Sequence, residues 1–155
     1  MKTIIVAKTI IFSEDGKLLR LRRDKRDDHR PGGTDLPGGK IDEGEAIVAG
    51  AVREISEEVG LSIDPDAMQL SFSYCQIAYN TDAKGDVNVV WLGFITKLPQ
   101  SADHTITLSH EHEAYEWLPM DKALDDNNST SLEKFIGHIK ANNVAQELWD
   151  LSMKV

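Results

Sequence analysis

An amphipathic helix is predicted from about Ala46 to Val59. Its apolar residues fall on one stripe at helical spacing, and Gly60 stands where a C-terminal glycine cap is expected. The stripe consists of Ile47, Val48, Ala51, Val52, Ile55 and Val59. Such a stripe has to be buried against another layer of structure, so the rest of the chain must supply that layer.

Strand-like segments before and after the helix in the chain supply that layer. Residues of about 3–12 and 17–23 flank an Asp15-Gly16 turn, and 70–79 and 87–97 form a second expected hairpin. A short strand is expected at 114–118, with loops at 24–35 and 99–112, and further helices are expected after Ser129 and near Val144. The sequence thus predicts one mixed α/β domain covering residues 1–155.

Composition narrows the classes of partner. With 17 Lys and Arg against 26 Asp and Glu, the net charge is −9, which argues against binding of polymeric nucleic acid or an anionic membrane. The apolar N-terminus is interrupted by Lys8 and is too short to span a bilayer, so a cytoplasmic protein is expected. The single cysteine, Cys75, is interpreted as a small core residue.

The polar face of the first helix carries Arg53, Glu54, Glu57 and Glu58. At about 100° per residue the three glutamates are i,i+3 and i,i+4 neighbours, and like charges at these spacings repel one another. A hard divalent cation with oxygen ligands, Mg²⁺ or Mn²⁺, would relieve that repulsion. The alternative is a solvated acidic face that Arg53 partly neutralises.

The spacing of residues around the helix carries a resemblance. Gly39, five residues, Glu45, seven residues and then Arg53-Glu54-Ile55-Ser56-Glu57-Glu58-Val59-Gly60-Leu61 match the Nudix box at every specified position. The chain therefore resembles the Nudix hydrolases. The resemblance implies an α/β/α sandwich, with a mixed β-sheet between helices.

The resemblance also implies roles for the residues of the box. Glu57 and Glu58, expected on an exposed face, match metal ligands of the family, and Glu54 matches a further ligand or the base that deprotonates water. Arg53 and Glu45 match an orienting ion pair. The family further implies that the backbone carbonyl of Gly38 is a metal ligand, with Mg²⁺ or Mn²⁺ as the cofactor.

A second polar segment precedes the 114–118 strand. It resembles the Ser-x-Glu-His-x-x-Tyr-x-Trp segment of diadenosine-tetraphosphate hydrolases, with Glu111, His112, Tyr115 and Trp117 at the matching positions. Glu111 is expected to be a further metal ligand or the base, ahead of Glu113. His112 is interpreted either as a proton donor or as a hydrogen-bonded structural histidine, and Trp117 as a core residue.

Candidate substrate-binding residues lie outside the box. Arg20 and Arg22 belong to a cluster of six basic residues within 20–30 that suits phosphate, unless the cluster only protects a strand edge. Tyr79 is placed to stack on a purine, and Lys40 follows the glycine pair in a Leu-Pro-Gly-Gly-Lys segment like that of MutT-type members.

The function expected is metal-dependent hydrolysis of a nucleoside diphosphate linked to another group. A nucleoside triphosphate or a dinucleoside polyphosphate is the small-molecule substrate expected. The alternative is a Nudix-fold module that senses or binds a nucleotide without cutting it. A third interpretation, an isomerase related to isopentenyl-diphosphate isomerases, would need a catalytic cysteine, and Cys75 gives it little support. The sequence does not determine the oligomeric state, and a homodimer stays open.

Overall fold

The computed structural model describes residues 1–27, 31–79, 85–100 and 104–124. Their elements are β1 (Lys2–Phe12), β2 (Leu18–Arg23), β3 (Thr34–Asp35), β4 (Gly38–Lys40), α1 (Ile47–Val59), a 3₁₀ turn (Pro65–Ala67), β5 (Gln69–Ala78), β6 (Val87–Lys97), β7 (His112–Leu118) and α2 (Met120–Leu124). The helices predicted after Ser129 and near Val144 lie outside these residues. Within them, no helix is both long and apolar enough to cross a membrane.

The sheet is mixed, as predicted. Its strand order is β3-β2-β1-β6-β5, with β4 pairing with β1 and β7 pairing with β2. The central pair β1–β6 is parallel over the full length of β1, from Lys2–Val87 to Phe12–Lys97. The predicted hairpin β5–β6 is antiparallel and confirmed.

The first predicted hairpin is correct only at its turn. β1 and β2 pair at Phe12–Leu18 and then diverge. Beyond that point β4 pairs with β1 through Lys8 and Gly38, while β2 pairs with β7 and with β3. The loop predicted for 24–35 therefore ends early, because Thr34 and Asp35 form β3. This split between β1 and β2 positions the residues of the candidate site.

Both faces of β1 are covered, which explains its nearly continuous apolar sequence. On one face Ala7 and Ile11 lie in the same apolar clusters as Ala51 and Ile55 of α1. On the other, the apolar cluster includes Ile10, Phe12, Trp91 of β6 and Met120 of α2. Helices thus lie on both sides of the sheet, in the predicted α/β class.

The predicted helix is confirmed, with Ala46 at its N-cap and Gly60 at its C-cap. Gly60 adopts a left-handed conformation with φ of 74°, and its N–H bonds to the carbonyl of Ser56. The prediction for Cys75 is wrong, since this residue is exposed. Its strand β5 is at the edge of the sheet, and alternation buries Phe72 while it turns Cys75 outward.

Candidate active site

Arg53 ties the acidic face of α1 to the loop that precedes the helix. Its Nε and Nη2 donate to Glu45 Oε1 and Oε2 at 2.7 and 2.9 Å, a two-point pairing. Its Nη1 donates to Glu54 at 3.0 Å and to Glu57 at 3.2 Å. The hydrogen bond from Arg53 lowers the pKa of Glu45 to about 2. One guanidinium thus hydrogen-bonds to three carboxylates and lies 3.5 Å from a fourth, that of Asp42; the sequence predicted its pairing with Glu45.

Glu54 lies directly against the glycine pair. A Cβ built on Gly39 would stand 2.4 Å from Glu54 Oε2, so this position admits no side chain unless Glu54 moves. Burial raises the pKa of Glu54, Arg53 opposes that effect, and the negative charges of Glu57 and Glu111 add to it. Carboxylates from the helix and from the downstream segment therefore act on one another across this site.

Glu58 is buried, with 5% of its surface exposed, so the expectation that it lies on an exposed face is wrong. Its Oε2 accepts a hydrogen bond from the N–H of Gly38 at 2.8 Å. Gly38 has φ of 134°, and a Cβ there would stand 2.0 Å from the carbonyl oxygen of Ala7. The close approach of β4 to β1 brings Gly38 over the last turn of α1 and covers Glu58. Burial raises the pKa of this carboxyl to about 7, although Lys8 and the Gly38 N–H act in the opposite direction.

The downstream segment reaches the same place. Glu58, Glu111 and His112 each offer a ligand atom, and these atoms lie within 4.8 Å of one another. The buried imidazole of His112 places Nε2 3.4 Å from Asp35 Oδ2, and its Nδ1 has no hydrogen-bond partner among the described residues. Two carboxylates with a partly buried third, Glu54, suit Mg²⁺ or Mn²⁺, both of which prefer oxygen ligands. Glu111 and Glu113 are both exposed, but Glu113 is not part of this cluster, and its charge acts on Arg26.

Sequence reasoning missed a buried ionic network beside this cluster. The Asp35 carboxylate contacts Lys8 Nζ at 3.1 Å and Arg23 Nη1 at 2.9 Å, in addition to His112. Burial alone would raise the pKa of Asp35, but the charge of Lys8, the His112 hydrogen bond and Arg23 hold it well below its usual range. The available signal was Lys8 itself, a lysine within an apolar central strand, which requires a buried partner of opposite charge.

The predicted basic cluster is largely paired internally. Arg23 binds Asp27 and Asp35, and Arg26 binds Asp24 at 2.9 Å. Arg30 lies outside the described residues. Arg23 therefore ties β2 to Asp27 and to Asp35 of β3, while the pair of Arg26 and Asp24 lies within the segment that follows β2.

Arg20 and Arg22 are placed differently, because both line a cavity of about 200 Å³ together with Thr34, Tyr115 and Glu116. Arg20 Nη2 donates to Glu116 at 2.8 Å across the β2–β7 pair. The structure thus brings these two arginines beside the strand that carries His112.

The other predicted substrate residues lie apart. Lys40 is exposed on β4, two residues beyond Gly38. Tyr79 is 80% exposed and directly follows Ala78, the last residue of β5. Ala78 pairs with Val87 of β6, which in turn pairs with Lys2 at the start of β1. Lys2 is six residues, or about 20 Å along β1, from Lys8, so Tyr79 lies at the far end of the sheet from the site. Trp117 is partly buried and packs with the α1 side of the core, as predicted.

Comparison with known proteins gives consistent results. The NUDIX domain family matches residues 2–138. Curated relatives include the rat asymmetrical bis(5'-nucleosyl)-tetraphosphatase, 32% identical over 87 residues, and the Escherichia coli 8-oxo-dGTP diphosphatase, 39% identical over 62 residues. These matches cover 56% and 40% of this chain, and 56% and 47% of the relatives, so the chain spans about half the length of each. The crystal structure of the MutT protein from Methanosarcina mazei superposes with a TM-score of 0.69 and 27% identity, covering 92% of this chain and 96% of that one.

Proposed function

The chain belongs to the NUDIX family, and from that premise we propose that it is a divalent-metal-dependent pyrophosphohydrolase. Its substrate would be a nucleoside diphosphate linked to a further group. The observation that carries the proposal is the convergence of Glu58, Glu111 and His112, with Glu54 close enough to feel the charge of Glu111. Carboxylates brought this close together repel one another unless a cation binds between them.

The metal ligands proposed are Glu54, Glu57, Glu58 and Glu111. The carbonyl of Gly38, which the sequence also suggested, accepts a hydrogen bond from the Lys8 ammonium at 2.8 Å and is not included among them. Divalent cations bound there would neutralise a diphosphate and make a water molecule more acidic. Glu57 is 59% exposed and held by Arg53, so it can turn toward a cation at little cost. Glu58 is already fixed by the Gly38 N–H. The site thus combines one rigid carboxylate with adaptable ones.

Two carboxylates are candidates for the base that takes a proton from water. Burial raises the pKa of Glu54, which makes its carboxylate a stronger proton acceptor than an exposed glutamate. Glu111 is exposed at the mouth of the site and can reach solvent directly. Arg53 favours the ionised form of Glu54 through its 3.0 Å hydrogen bond and orients the side chain.

The cavity beside Arg20 and Arg22 supports binding of the nucleotide. Its guanidinium groups suit phosphate oxygens, and Tyr115, 44% exposed, offers an aromatic face to a base. The two curated relatives are named for a dinucleoside tetraphosphate and an oxidised nucleoside triphosphate. We therefore propose that the substrate belongs to one of these classes and is bound by Arg20 and Arg22 at the cavity, with Lys40 and Tyr79, which lie apart from it, as further predicted contacts.

The test is a hydrolysis assay on a panel of nucleoside triphosphates, oxidised nucleotides and dinucleoside polyphosphates, with Mg²⁺ or Mn²⁺. Glu57→Gln and Glu58→Gln should each remove most of the activity of the wild type on its preferred substrate. Glu43→Gln is the matched control, because Glu43 is exposed in the loop before α1. Nucleotide binding without release of product from any substrate would instead support the sensing module and overturn the hydrolase.

A further inference from the structure

Lys8 is a buried cation that the proposed chemistry does not use. It lies in β1 within the row Ile4, Val6, Ile10 and Phe12, whose side chains face the apolar core opposite α1. Only 6% of Lys8 is exposed. Replacing a buried ion pair by apolar residues of similar volume is often neutral or stabilising. Stability alone therefore gives no reason for an ammonium group at this position.

The contacts of Lys8 show what it holds. An ammonium has three donors, and Nζ uses them on Asp35 at 3.1 Å, the carbonyl of Leu36 at 3.1 Å and the carbonyl of Gly38 at 2.8 Å. The two peptide groups that flank Gly38 are thus both held, because the N–H of Gly38 donates to Glu58 at 2.8 Å. The orientation of Glu58, a proposed metal ligand, therefore depends on the residue that Lys8 anchors.

The same ion pair reaches the second wall of the site. Asp35, which receives the Lys8 ammonium, stands 3.4 Å from Nε2 of His112, and His112 directly follows Glu111. Metal-site side chains are commonly held in place by such outer contacts, which fix ring orientation and ligand direction. Lys8 therefore connects Gly38 and Glu58 on one side with His112 and Glu111 on the other.

We propose that Lys8, through Asp35 and Gly38, is a positioning residue that holds the two sides of the metal cradle in register. This inference rests on the proposed function, because it takes Glu58 and Glu111 as metal ligands. It assigns no contact of Lys8 with substrate. The ion pair is neutral as a whole, so its effect on a bound cation comes from geometry rather than from net charge.

The test measures Mn²⁺ affinity of the nucleotide-free protein, by the EPR signal of free Mn²⁺, for Lys8→Met, Asp35→Asn and the double variant. The single variants change the local charge in opposite directions, whereas the double variant keeps it unchanged. Positioning predicts that all three bind Mn²⁺ about 10–100-fold more weakly than the wild type, the range typical of lost outer contacts. Lys2→Met, an exposed lysine of the same strand, should bind like the wild type.

A charge effect would give a different pattern: tighter binding for Lys8→Met, weaker binding for Asp35→Asn, and wild-type affinity for the double variant. That pattern overturns the inference, as does unchanged affinity in all three. Urea unfolding identifies a purely structural role, for which the double variant would regain both stability and Mn²⁺ affinity. A wild type that binds Mn²⁺ but hydrolyses nothing overturns the proposed function alone, while a wild type that binds no Mn²⁺ overturns both.

Discussion

Replacing Glu58 by glutamine should stabilise the metal-free protein at alkaline pH while it removes activity. Glutamine has nearly the same shape, and its side-chain oxygen can still accept the hydrogen bond from Gly38. What the variant loses is the charge of a carboxylate with only 5% of its surface exposed. Such a charge is costly without a cation beside it.

The magnitude follows from the pKa of this carboxyl, which burial raises from 4.5 to about 7. That difference corresponds to about 3 kcal/mol between the protonated and ionised forms. Because the folded pKa lies above the unfolded one, the contribution to stability is complete below about pH 4.5 and is lost as the pH rises through about 7. At pH 8 in EDTA, Glu58→Gln should therefore exceed the wild type in unfolding free energy by up to about 3 kcal/mol.

The assay is urea unfolding in EDTA at pH 5 and pH 8, repeated at pH 8 with excess Mg²⁺. The difference between variant and wild type should grow with pH, and Mg²⁺ should stabilise the wild type only. Glu57→Gln is the matched control from the same turn of α1, because its side chain is 59% exposed and its charge is already solvated. A Glu58→Gln protein less stable than the wild type at pH 8 would refute the argument from burial.

Three further outcomes are expected. Glu111→Gln should lower kcat by about 10²-fold with little change in KM. Glu113→Gln should leave kcat unchanged, because of these two glutamates only Glu111 belongs to the cluster with Glu58 and His112. A larger loss of kcat for Glu113→Gln in steady-state assays would reverse the assignment. Arg53→Lys should lower kcat about 10-fold or more at saturating Mg²⁺, since lysine keeps the charge but cannot form the paired bonds to Glu45. Asp35→Asn should cost about 3 kcal/mol of unfolding free energy at pH 7 by leaving buried cations uncompensated. Its pKa is depressed, so the wild type loses this advantage as the pH falls below about 4, and urea unfolding should show the difference narrowing there.

The helix and the carboxylates of its polar face could be predicted because both depend on local spacing. An apolar stripe at helical period and a glycine cap fixed α1 to within a residue of Ile47 and Val59. The hairpin β5–β6 followed in the same way from two strand-like runs around a turn. These features depend on residues close together in the chain, where pattern and geometry correspond.

The burial of Glu58 and the pairing of Lys8 with Asp35 could not be predicted in that way. Both depend on where β1 and β2 separate, and the contact between Lys8 and Asp35 spans 27 residues. The exposure of Cys75 is a similar case, because it depends on the place of β5 at the edge of the sheet. Local patterns report which faces of a strand are apolar, but not which neighbour covers them.

Gly38 connects the predicted helix with the buried ionic network that the sequence did not predict. Its N–H holds Glu58 on the last turn of α1, and its carbonyl accepts the ammonium of Lys8 in β1. The buried acid and the buried base therefore meet at one residue, which has to be glycine because a Cβ would strike the carbonyl of Ala7. Burying the ionised Glu58 carboxylate costs about 3 kcal/mol of unfolding free energy. That cost is a sizeable fraction of the 5–15 kcal/mol that is typical of a folded protein. Binding of a cation at Glu58 would offset that cost, so folding and metal binding should be coupled through this glycine.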